Sequence, residues 1–255
     1  MTDDTGFIRM LEISAVIMDR VEAIHPTLIG DEDTVMLVDT GFPGQLALFR
    51  EAMAEAGVPF NRLTKIVITH QDLDHIGGLP AMIGELGQGV EVLASEVEKP
   101  YIQGEQRLVK LTPEAIERAV AALPPEVPEE RRKAFRAALE HPPQAKVNRV
   151  LADGEELPCC GGVTVIATPG HTPGHICLYH RGTRTLIAGD ALRMQDGELL
   201  GPDPRATADM ALALRSLSKL AAFNIERVIC YHGGLYAGNA TGRIAAIARR
   251  AAEDN

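Results

Sequence analysis

Short apolar runs closed by turn residues recur along the chain and predict β-strands. Each run is four or five residues long and rich in Val, Ile and Leu, which favour extended backbone at buried positions. The predicted strands cover residues 34–38, 65–69, 90–93, 163–167, 176–179, 185–188 and 227–231. The first of them are apolar almost throughout, so we expect them to be covered on both faces.

Segments with helical periodicity lie between these strands. Residues 45–56 place apolar side chains at a spacing of three and then four, as on one face of a helix. Residues 207–223 and 241–252 are rich in Ala, and each begins with a threonine, Thr207 or Thr241, of the type that caps a helix N-terminus. Strands alternating with helices predict an α/β protein whose sheets are covered by helices.

One stretch, residues 96–148, lacks strand patterning and contains helical pieces separated by prolines. Thr112 followed by Pro113 has the pattern of an N-cap and a first helical residue. The stretch has too few large apolar side chains to form a core of its own. We therefore predict a single domain over residues 1–255 with a helical insertion at about 96–148.

Charge and composition disfavour several classes of protein. The chain has 25 Lys and Arg residues against 35 Asp and Glu, a formal net charge of −10, which disfavours nucleic acid and anionic membranes as partners. No apolar run approaches the roughly 18 residues of a transmembrane helix, and the N-terminus has no signal-peptide pattern. We expect a soluble, cytoplasmic protein. The four cysteines lack Cys-x-x-Cys spacing, so we expect neither a thiolate metal site nor a disulfide framework.

Metal-binding side chains follow four of the predicted strands. Strand ends of an α/β sheet hold functional residues rigidly while the loops between them converge. The candidates are His70, Asp72, Asp74 and His75 after residues 65–69, His171 after 163–167, Asp190 after 185–188 and His232 after 227–231.

Four imidazoles and three carboxylates form a donor set that suits two adjacent divalent ions of the zinc, manganese or iron kind. In a tight loop, His70 and Asp72 can face one ion while Asp74 and His75 face the other, with Asp190 available to bridge them. Without metal, the three carboxylates would crowd like charges at one sheet edge. The pattern therefore predicts a dinuclear centre, in which two ions together hold a hydroxide and polarise a carbonyl or phosphoryl oxygen.

The order of the motifs carries a family resemblance. The chain contains His-Gln-Asp-Leu-Asp-His-Ile-Gly-Gly at 70–78, Thr-Pro-Gly-His-Thr-Pro-Gly-His at 168–175, Gly-Asp at 189–190 and Tyr-His-Gly-Gly at 231–234. With Val-Asp-Thr-Gly at 38–41, these motifs resemble those of the metallo-β-lactamase-fold hydrolase superfamily, in the same order. The resemblance spans about residues 34–234, apart from the insertion, and implies an αββα sandwich with a metal site at one edge of its two sheets.

The resemblance also implies a role for each candidate residue. One metal would bind His70, Asp72 and His171, the other Asp74, His75 and His232, and Asp190 would bridge the two. Asp39 would support the ligands from behind, and its alternative is a turn residue that caps a helix. For His175 a supporting role and a plain strand-start position are equally open. Asp74 is the candidate catalytic residue, expected to orient the hydroxide and pass its proton to the leaving group.

Asp72 departs from the commonest form of the motif, His-x-His-x-Asp-His, in which a histidine stands at this position. Three carboxylates leave two divalent ions with less positive charge, and an additional oxygen donor shifts the preference toward manganese or iron. We expect two divalent ions, with zinc as the first expectation and manganese or iron as alternatives. A further alternative is that Asp72 does not coordinate metal.

The leading hypothesis is hydrolysis of a small carbonyl substrate, a lactone or an ester, by a metal-bound hydroxide. Thioester or β-lactam hydrolysis within the same fold is one alternative, and a di-iron redox enzyme, motivated by Asp72, is another. The insertion is expected to roof an apolar pocket for the substrate. The expected partner is a small molecule rather than nucleic acid or a membrane, and a homodimer is left open.

Overall fold

The computed structural model describes residues 6–17 and 20–253. Two six-stranded sheets and two short hairpins account for the strands. The strands are β1 (Phe7–Met10), β2 (Ile13–Ile17), β3 (Arg20–Ile24), β4 (Thr27–Gly30), β5 (Val35–Val38), β6 (Lys65–Val67), β7 (Glu91–Ser95), β8 (Arg149–Leu151), β9 (Glu156–Leu157), β10 (Val163–Ala167), β11 (Ile176–His180), β12 (Thr185–Ile187), β13 (Arg193–Gln195), β14 (Glu198–Leu200), β15 (Arg227–Cys230) and β16 (Gly234–Ala237).

Helices connect the strands and cover the outer faces of the sheets. The α-helices are α1 (Leu46–Glu55), α2 (Leu73–Ile76), α3 (Leu79–Leu86), α4 (Lys99–Ile102), α5 (Pro113–Ala121), α6 (Glu129–Glu140), α7 (Met210–Ser216) and α8 (Ala240–Glu253). Short 3₁₀ helices follow at Phe60–Arg62, Gly87–Gly89 and Leu217–Ala222. Within the described residues, no helix is both long and apolar enough to cross a membrane.

Each sheet is formed by a different half of the chain. The first has the order β1-β4-β5-β6-β7-β8, and the second has the order β16-β15-β12-β11-β10-β9. In the first sheet β5, β6, β7 and β8 run parallel to one another, joined by helical connections. In the second sheet only β12 and β15 pair in parallel among the described strands. The chain passes from one sheet to the other between β8 and β9.

Alternate side chains of the central strands point to opposite faces of their sheet. One face packs against the other sheet, and the opposite face packs against helices. On β5, Met36 and Val38 face the second sheet, whereas Val35 and Leu37 pack under the helices of their own half. On β10, Val165 lies between the sheets and Ile166 faces the opposite side. Full burial of one such side chain stabilises the fold by about 1.5–3 kcal/mol. The predicted αββα sandwich is confirmed, since an apolar layer between the sheets is flanked by a helix-covered layer on each side.

The predicted insertion contains α4, α5 and α6. As expected, Thr112 caps α5, because its side chain accepts a hydrogen bond from the Ala115 nitrogen at 3.2 Å. Arg136 of α6 donates to Glu117 of α5, with Nη2 2.8 Å from Oε2, so the two helices contact each other. The assignment of residues 1–255 to a single domain stays a prediction.

Two of the predicted helix caps are wrong. The helix predicted at 207–223 divides into α7 and a 3₁₀ helix, and Asp209 rather than Thr207 caps α7 by accepting from the Leu212 nitrogen. Thr241 lies inside α8, where its hydroxyl donates to the Ile225 carbonyl, and Asn239 accepts the capping bond from the Gly242 nitrogen. In both cases the true cap, Asp209 or Asn239, lies two residues from the predicted threonine. It occupies the position from which a side chain reaches the free N–H groups of the first helical turn.

Candidate metal centre

Strand ends from both sheets meet at one edge of the sandwich. The segment after β6 carries the candidate ligands of residues 70–75, with Asp74 and His75 on α2. The segments after β10, β12 and β15 carry His171, Asp190 and His232. Because the two sheets face each other, these loops converge over the space between them. The structure therefore brings all seven candidate ligands together, although they are spread over more than half of the sequence.

His70, Asp72, His171 and Asp190 form a first group, in which one ligand atom of each residue lies within 4.8 Å of every other. Asp72 Oδ2 is 3.2 Å from Nε2 of His70 and 3.0 Å from Nε2 of His171. Asp190 Oδ2 is 3.3 Å from Nε2 of His171. These atoms point toward a common centre, as the ligands of one metal ion do.

Asp74, His75 and His232 form a second group by the same measure. Asp74 Oδ2 lies 3.2 Å from Nε2 of His232 and 3.6 Å from Nε2 of His75. Asp190 also reaches this group, since its Oδ1 is 3.4 Å from Nε2 of His75. Oδ2 of Asp190 is also 3.5 Å from Nε2 of His232. The carboxylate therefore lies between the two groups, where it could be shared by two ions.

Three atoms at the centre are buried without a hydrogen-bond partner among the described residues: Nε2 of His70, Nε2 of His75 and Oδ1 of Asp190. Buried polar atoms are normally paired, so unpaired ones need an explanation. All three are lone-pair donors that face the interior of the cluster. A divalent ion of the zinc, manganese or iron kind fits this donor set, because nitrogen and carboxylate oxygen are its common ligands.

Asp39 holds two of the histidines from behind. Its Oδ2 is 2.9 Å from Nδ1 of His75 and accepts the hydroxyl of Thr69 at 2.8 Å. Thr69 thereby uses its only hydrogen, so it accepts the Nδ1–H of His70 at 3.0 Å. Metal binding to either ring would leave the Nδ1 proton in place and use the Nε2 atom that faces the centre. Asp39 contacts these ligands rather than a helix N-terminus, and its backbone has a φ of 65°.

His175 holds Asp190 in place. Its Nε2 accepts a hydrogen bond from the backbone nitrogen of Asp190 at 3.0 Å, and its Nδ1 donates to Thr168 Oγ1 at 2.8 Å. The ring is fully buried and uses both nitrogens, so none is left for a metal. Gly189 allows this approach, because a Cβ at this residue would lie 2.7 Å from His175 Nε2.

Thr207 belongs to the centre rather than to a helix cap. Its hydroxyl donates to the carbonyl of Asp203 at 2.7 Å and accepts from Nδ1 of His171 at 3.2 Å. The third inward-facing histidine therefore also has its proton on Nδ1. Only the Ala-rich pattern that follows Thr207 was visible in the sequence, and this pattern favoured the wrong role.

Two further residues near the centre carry no motif and were missed in the sequence. Glu98 is completely buried and accepts hydrogen bonds from Gln71 and from the loop around His171. Lys110 donates to Asp72 Oδ2 and lies 2.7 Å from His171 Nε2. Both residues belong to the insertion, whose polar positions look like ordinary surface in the sequence. Gln71 lies within the His70–His75 motif, but nothing in the motif indicates that it contacts Glu98, 27 residues downstream.

The charged groups at the centre shift one another's pKa values. Burial raises the pKa of Asp72, but His70, His171 and Lys110 outweigh this effect and bring the pKa well below its usual value. Burial together with His75 lowers the pKa of His70 to about 4. The cluster therefore keeps Asp72 ionised and His70 neutral, which is the protonation state that metal binding requires.

The fold and this site define an αββα protein with a carboxylate–histidine centre suited to two metal ions. The sequence pattern of the metallo-β-lactamase superfamily matches residues 20–232. The chain therefore belongs to the metallo-β-lactamase superfamily and is an enzyme of the metal-dependent hydrolase type.

Curated relatives agree with this assignment. The probable metallo-hydrolase YflN of Bacillus subtilis (strain 168) is 31% identical over 218 residues, covering 81% of this chain and 78% of its own length. The probable metallo-hydrolase YybB of the same organism is 27% identical over 210 residues, covering 82% of this chain and 80% of its own.

Solved structures show the same fold. The metallo-β-lactamase family protein TTHA1429 from Thermus thermophilus superposes with a TM-score of 0.68 at 27% identity, covering 96% of this chain and 79% of that one. A flavo di-iron protein mutant from Thermotoga maritima gives a TM-score of 0.67 at 17% identity, covering 98% of this chain and 61% of that one. At 17% identity, the similarity to the flavo di-iron protein shows a shared fold alone.

Proposed function

We propose that the protein hydrolyses a small carbonyl substrate, a lactone or an ester, with two divalent ions held by the seven candidate ligands. The observation that carries the proposal is the position of Asp190, whose carboxylate lies between the two ligand groups and approaches histidines of both. When bound, two such ions supply an activated water and polarise the carbonyl of the substrate. We propose zinc as the natural metal, with manganese or iron as alternatives, because Asp72 adds a third carboxylate oxygen.

Asp74 is the proposed catalytic residue. Its backbone oxygen accepts a hydrogen bond from the hydroxyl of Tyr231, whose ring packs on His75 with centroids 3.9 Å apart. Burial raises the pKa of Asp74, but His75 and His232 outweigh this effect and lower it. The carboxylate is therefore ionised near neutral pH, and it accepts a proton from the attacking water and passes it to the leaving oxygen.

The insertion forms an open cavity of a size that suits a small molecule, and none of the seven candidate ligands is among its lining residues. The cavity has a volume of about 490 Å³ and lies among α4, α5, α6 and the segment between α4 and α5. Sites for small ligands commonly have volumes of about 300–1,000 Å³. Its lining is mixed, with Tyr101, Leu111 and Ile116 beside charged groups such as Arg107 and Glu117, which is more polar than the apolar pocket expected from the sequence.

The net charge of −10 supports a small molecule rather than nucleic acid or an anionic membrane as the partner. A homodimer and a cytoplasmic location stay predictions.

The experiment is a hydrolysis screen with the protein loaded separately with zinc, manganese and iron. The substrates are lactones, aryl esters, thioesters, β-lactams and phosphodiesters. We expect turnover of lactones or esters that a chelator abolishes and added metal restores. Turnover confined to thioesters or β-lactams would replace the proposed substrate by one of those classes. An as-isolated visible spectrum of a di-iron centre without hydrolysis of any ester would favour a redox enzyme instead.

A further inference from the structure

Lys110 is a cation placed inside the ligand cluster. Its ammonium donates to Asp72 Oδ2 and lies 2.7 Å from Nε2 of His171. Among the described residues, no other lysine or arginine forms an ion pair with any of the seven candidate ligands. Its side chain is 24% exposed, so the ammonium has lost most of its contact with water.

The backbone around Lys110 is fixed on both sides. Leu108 is buried in the core under the first sheet, and Leu111 packs against the same core. The nitrogen of Val109 donates to Oε1 of Gln71 at 2.6 Å, and Gln71 stands between two candidate ligands in the sequence. The insertion is thus attached to the metal-binding loop at the residue before Lys110, which directs the lysine side chain toward the centre.

The same oxygen of Asp72 faces Lys110, His70 and His171. A divalent ion held by the first group would use this carboxylate and Nε2 of His171 as ligands and would neutralise the charge of Asp72. The ammonium of Lys110 would then lack both partners, while its backbone would remain anchored beside the centre. A partly buried cation without a counter-charge is unfavourable, so the site gains most from a ligand that brings an anion.

We propose that Lys110 binds an anionic group of the substrate, and that the natural substrate is a lactone or ester with a carboxylate close to the hydrolysed carbonyl. This inference rests on the proposed function, since it names the substrate class of the same centre. An ammonium suits this role because it has three donors and no acceptor, and its four-carbon chain lets it follow the bound group. The insertion would thereby supply the residue that selects the substrate.

The first test measures binding without turnover. The probe is benzoate, with the neutral benzamide as its uncharged counterpart, titrated into the zinc-loaded protein by calorimetry. Lys110→Met should weaken benzoate binding roughly 10-fold and leave benzamide binding unchanged, because a charge-assisted hydrogen bond is lost. Lys110→Arg should retain most of the affinity. The control is Lys133→Met, which removes the same charge from an exposed position of the insertion and should change neither constant.

The second test compares KM and kcat for two esters that differ only in a carboxylate near the scissile bond. Lys110→Met should raise KM for the anionic ester and leave KM for the neutral ester unchanged, with zinc content equal to that of the unmodified protein. Equal benzoate affinity in Lys110→Met and the unmodified protein would overturn the proposal, as would loss of zinc in Lys110→Met. If no ester is hydrolysed but benzoate binding still depends on Lys110, the proposed activity and substrate class fail, while the assignment of Lys110 as the anion-binding residue stands.

Discussion

Glu98 accepts two hydrogen bonds from Gln71, one from the backbone nitrogen at 2.9 Å and one from Nε2 at 2.8 Å. Its other carboxylate oxygen accepts from Thr172 Oγ1 and from the Gly174 nitrogen, both at 2.7 Å. Gln71 stands between His70 and Asp72, and Thr172 follows His171. One buried carboxylate therefore fixes the two segments that carry three ligands of the first group.

Replacing Glu98 by Gln should weaken metal binding at the first group. The amide nitrogen is a donor and would face the donors that the carboxylate now accepts, so one pair of bonds is lost. We expect metal affinity to fall about 10- to 100-fold, as for other changes behind metal ligands. We also expect a loss of about 1–3 kcal/mol in the free energy of unfolding. Chelator competition and denaturant titration measure these two effects.

The matched control is Glu96→Gln, since Glu96 is exposed two residues away. It should leave both quantities unchanged. Unaltered metal affinity in Glu98→Gln would show that the four hydrogen bonds do not position the ligands.

Asp39→Asn should disturb His70 and His75 together. An asparagine has one acceptor oxygen in place of two, whereas Asp39 accepts from His75 Nδ1, from the Thr69 nitrogen and from the Thr69 hydroxyl. At least one of these bonds is lost, and the proton of His75 is then free to move to Nε2, where it blocks the metal.

For Asp39→Asn we expect a loss of metal affinity of about 10- to 100-fold, measured by chelator competition. Asp33→Asn, at an exposed position of the same half, is the control. A metal affinity in Asp39→Asn equal to that of the unmodified protein would contradict this explanation.

Protons should compete with metal at the second group. Desolvation lowers the pKa of His232, but the carboxylates of Asp190 and Asp74 raise it to about 10. Burial likewise lowers the pKa of His75, but Asp39, Asp74 and Asp190 raise it well above its usual value. A metal ion must displace these protons, so its apparent affinity should rise with pH until His232 is deprotonated at about pH 10.

Calorimetry in two buffers of different ionisation enthalpy measures the protons released on metal binding, and release near neutral pH is the expected result. The folding stability of the metal-free protein should change with pH in the opposite direction to metal affinity and fall as pH rises. A raised histidine pKa stabilises the folded state below the unfolded value of 6.5, and this contribution is lost as pH rises toward about 10. A chelator-treated protein that gains stability over this interval would contradict the assignment.

Asp72→His should change which metal the centre prefers. It restores the commonest form of the motif and replaces a carboxylate oxygen by an imidazole nitrogen, which favours zinc over manganese. After dialysis against equal zinc and manganese, the variant should hold a higher ratio of zinc to manganese than the unmodified protein. Asp72→Ala should lower the metal content, and an unchanged content would mean that Asp72 is not a ligand.

Local patterns in the sequence predicted an α/β protein and the convergence of the candidate ligands. The αββα sandwich was predicted from the family resemblance carried by the ordered motifs. Apolar strands such as 65–69 and 163–167 are short, buried and directly followed by the histidine-containing motifs, so the strand ends locate these residues. Strands β1 to β4 were not predicted. Strand β4, for example, has only the four residues Thr27–Gly30, which are too few positions for an alternating pattern.

The contacts of Glu98, Lys110 and Thr207 could not be predicted for a different reason. Glu98 contacts Gln71 and Gly174, which are 27 and 76 residues away in the sequence. Lys110 contacts Asp72 and His171 across 38 and 61 residues, and Thr207 contacts His171 across 36 residues. Such pairs depend on how the insertion and the loop before α7 fold over the sheet edge. A single sequence shows the polar residue types at these positions but not which of them become buried together.

The ligand set is divided between the two sheets. His70, Asp72, Asp74 and His75 follow β6 of the first sheet, whereas His171, Asp190 and His232 follow strands of the second. Neither half of the chain holds a complete group, so a high-affinity centre exists only after the halves have docked. Metal bound at this centre would therefore stabilise the packing of the two sheets against each other, because the free energy of metal binding would be added to that of their association.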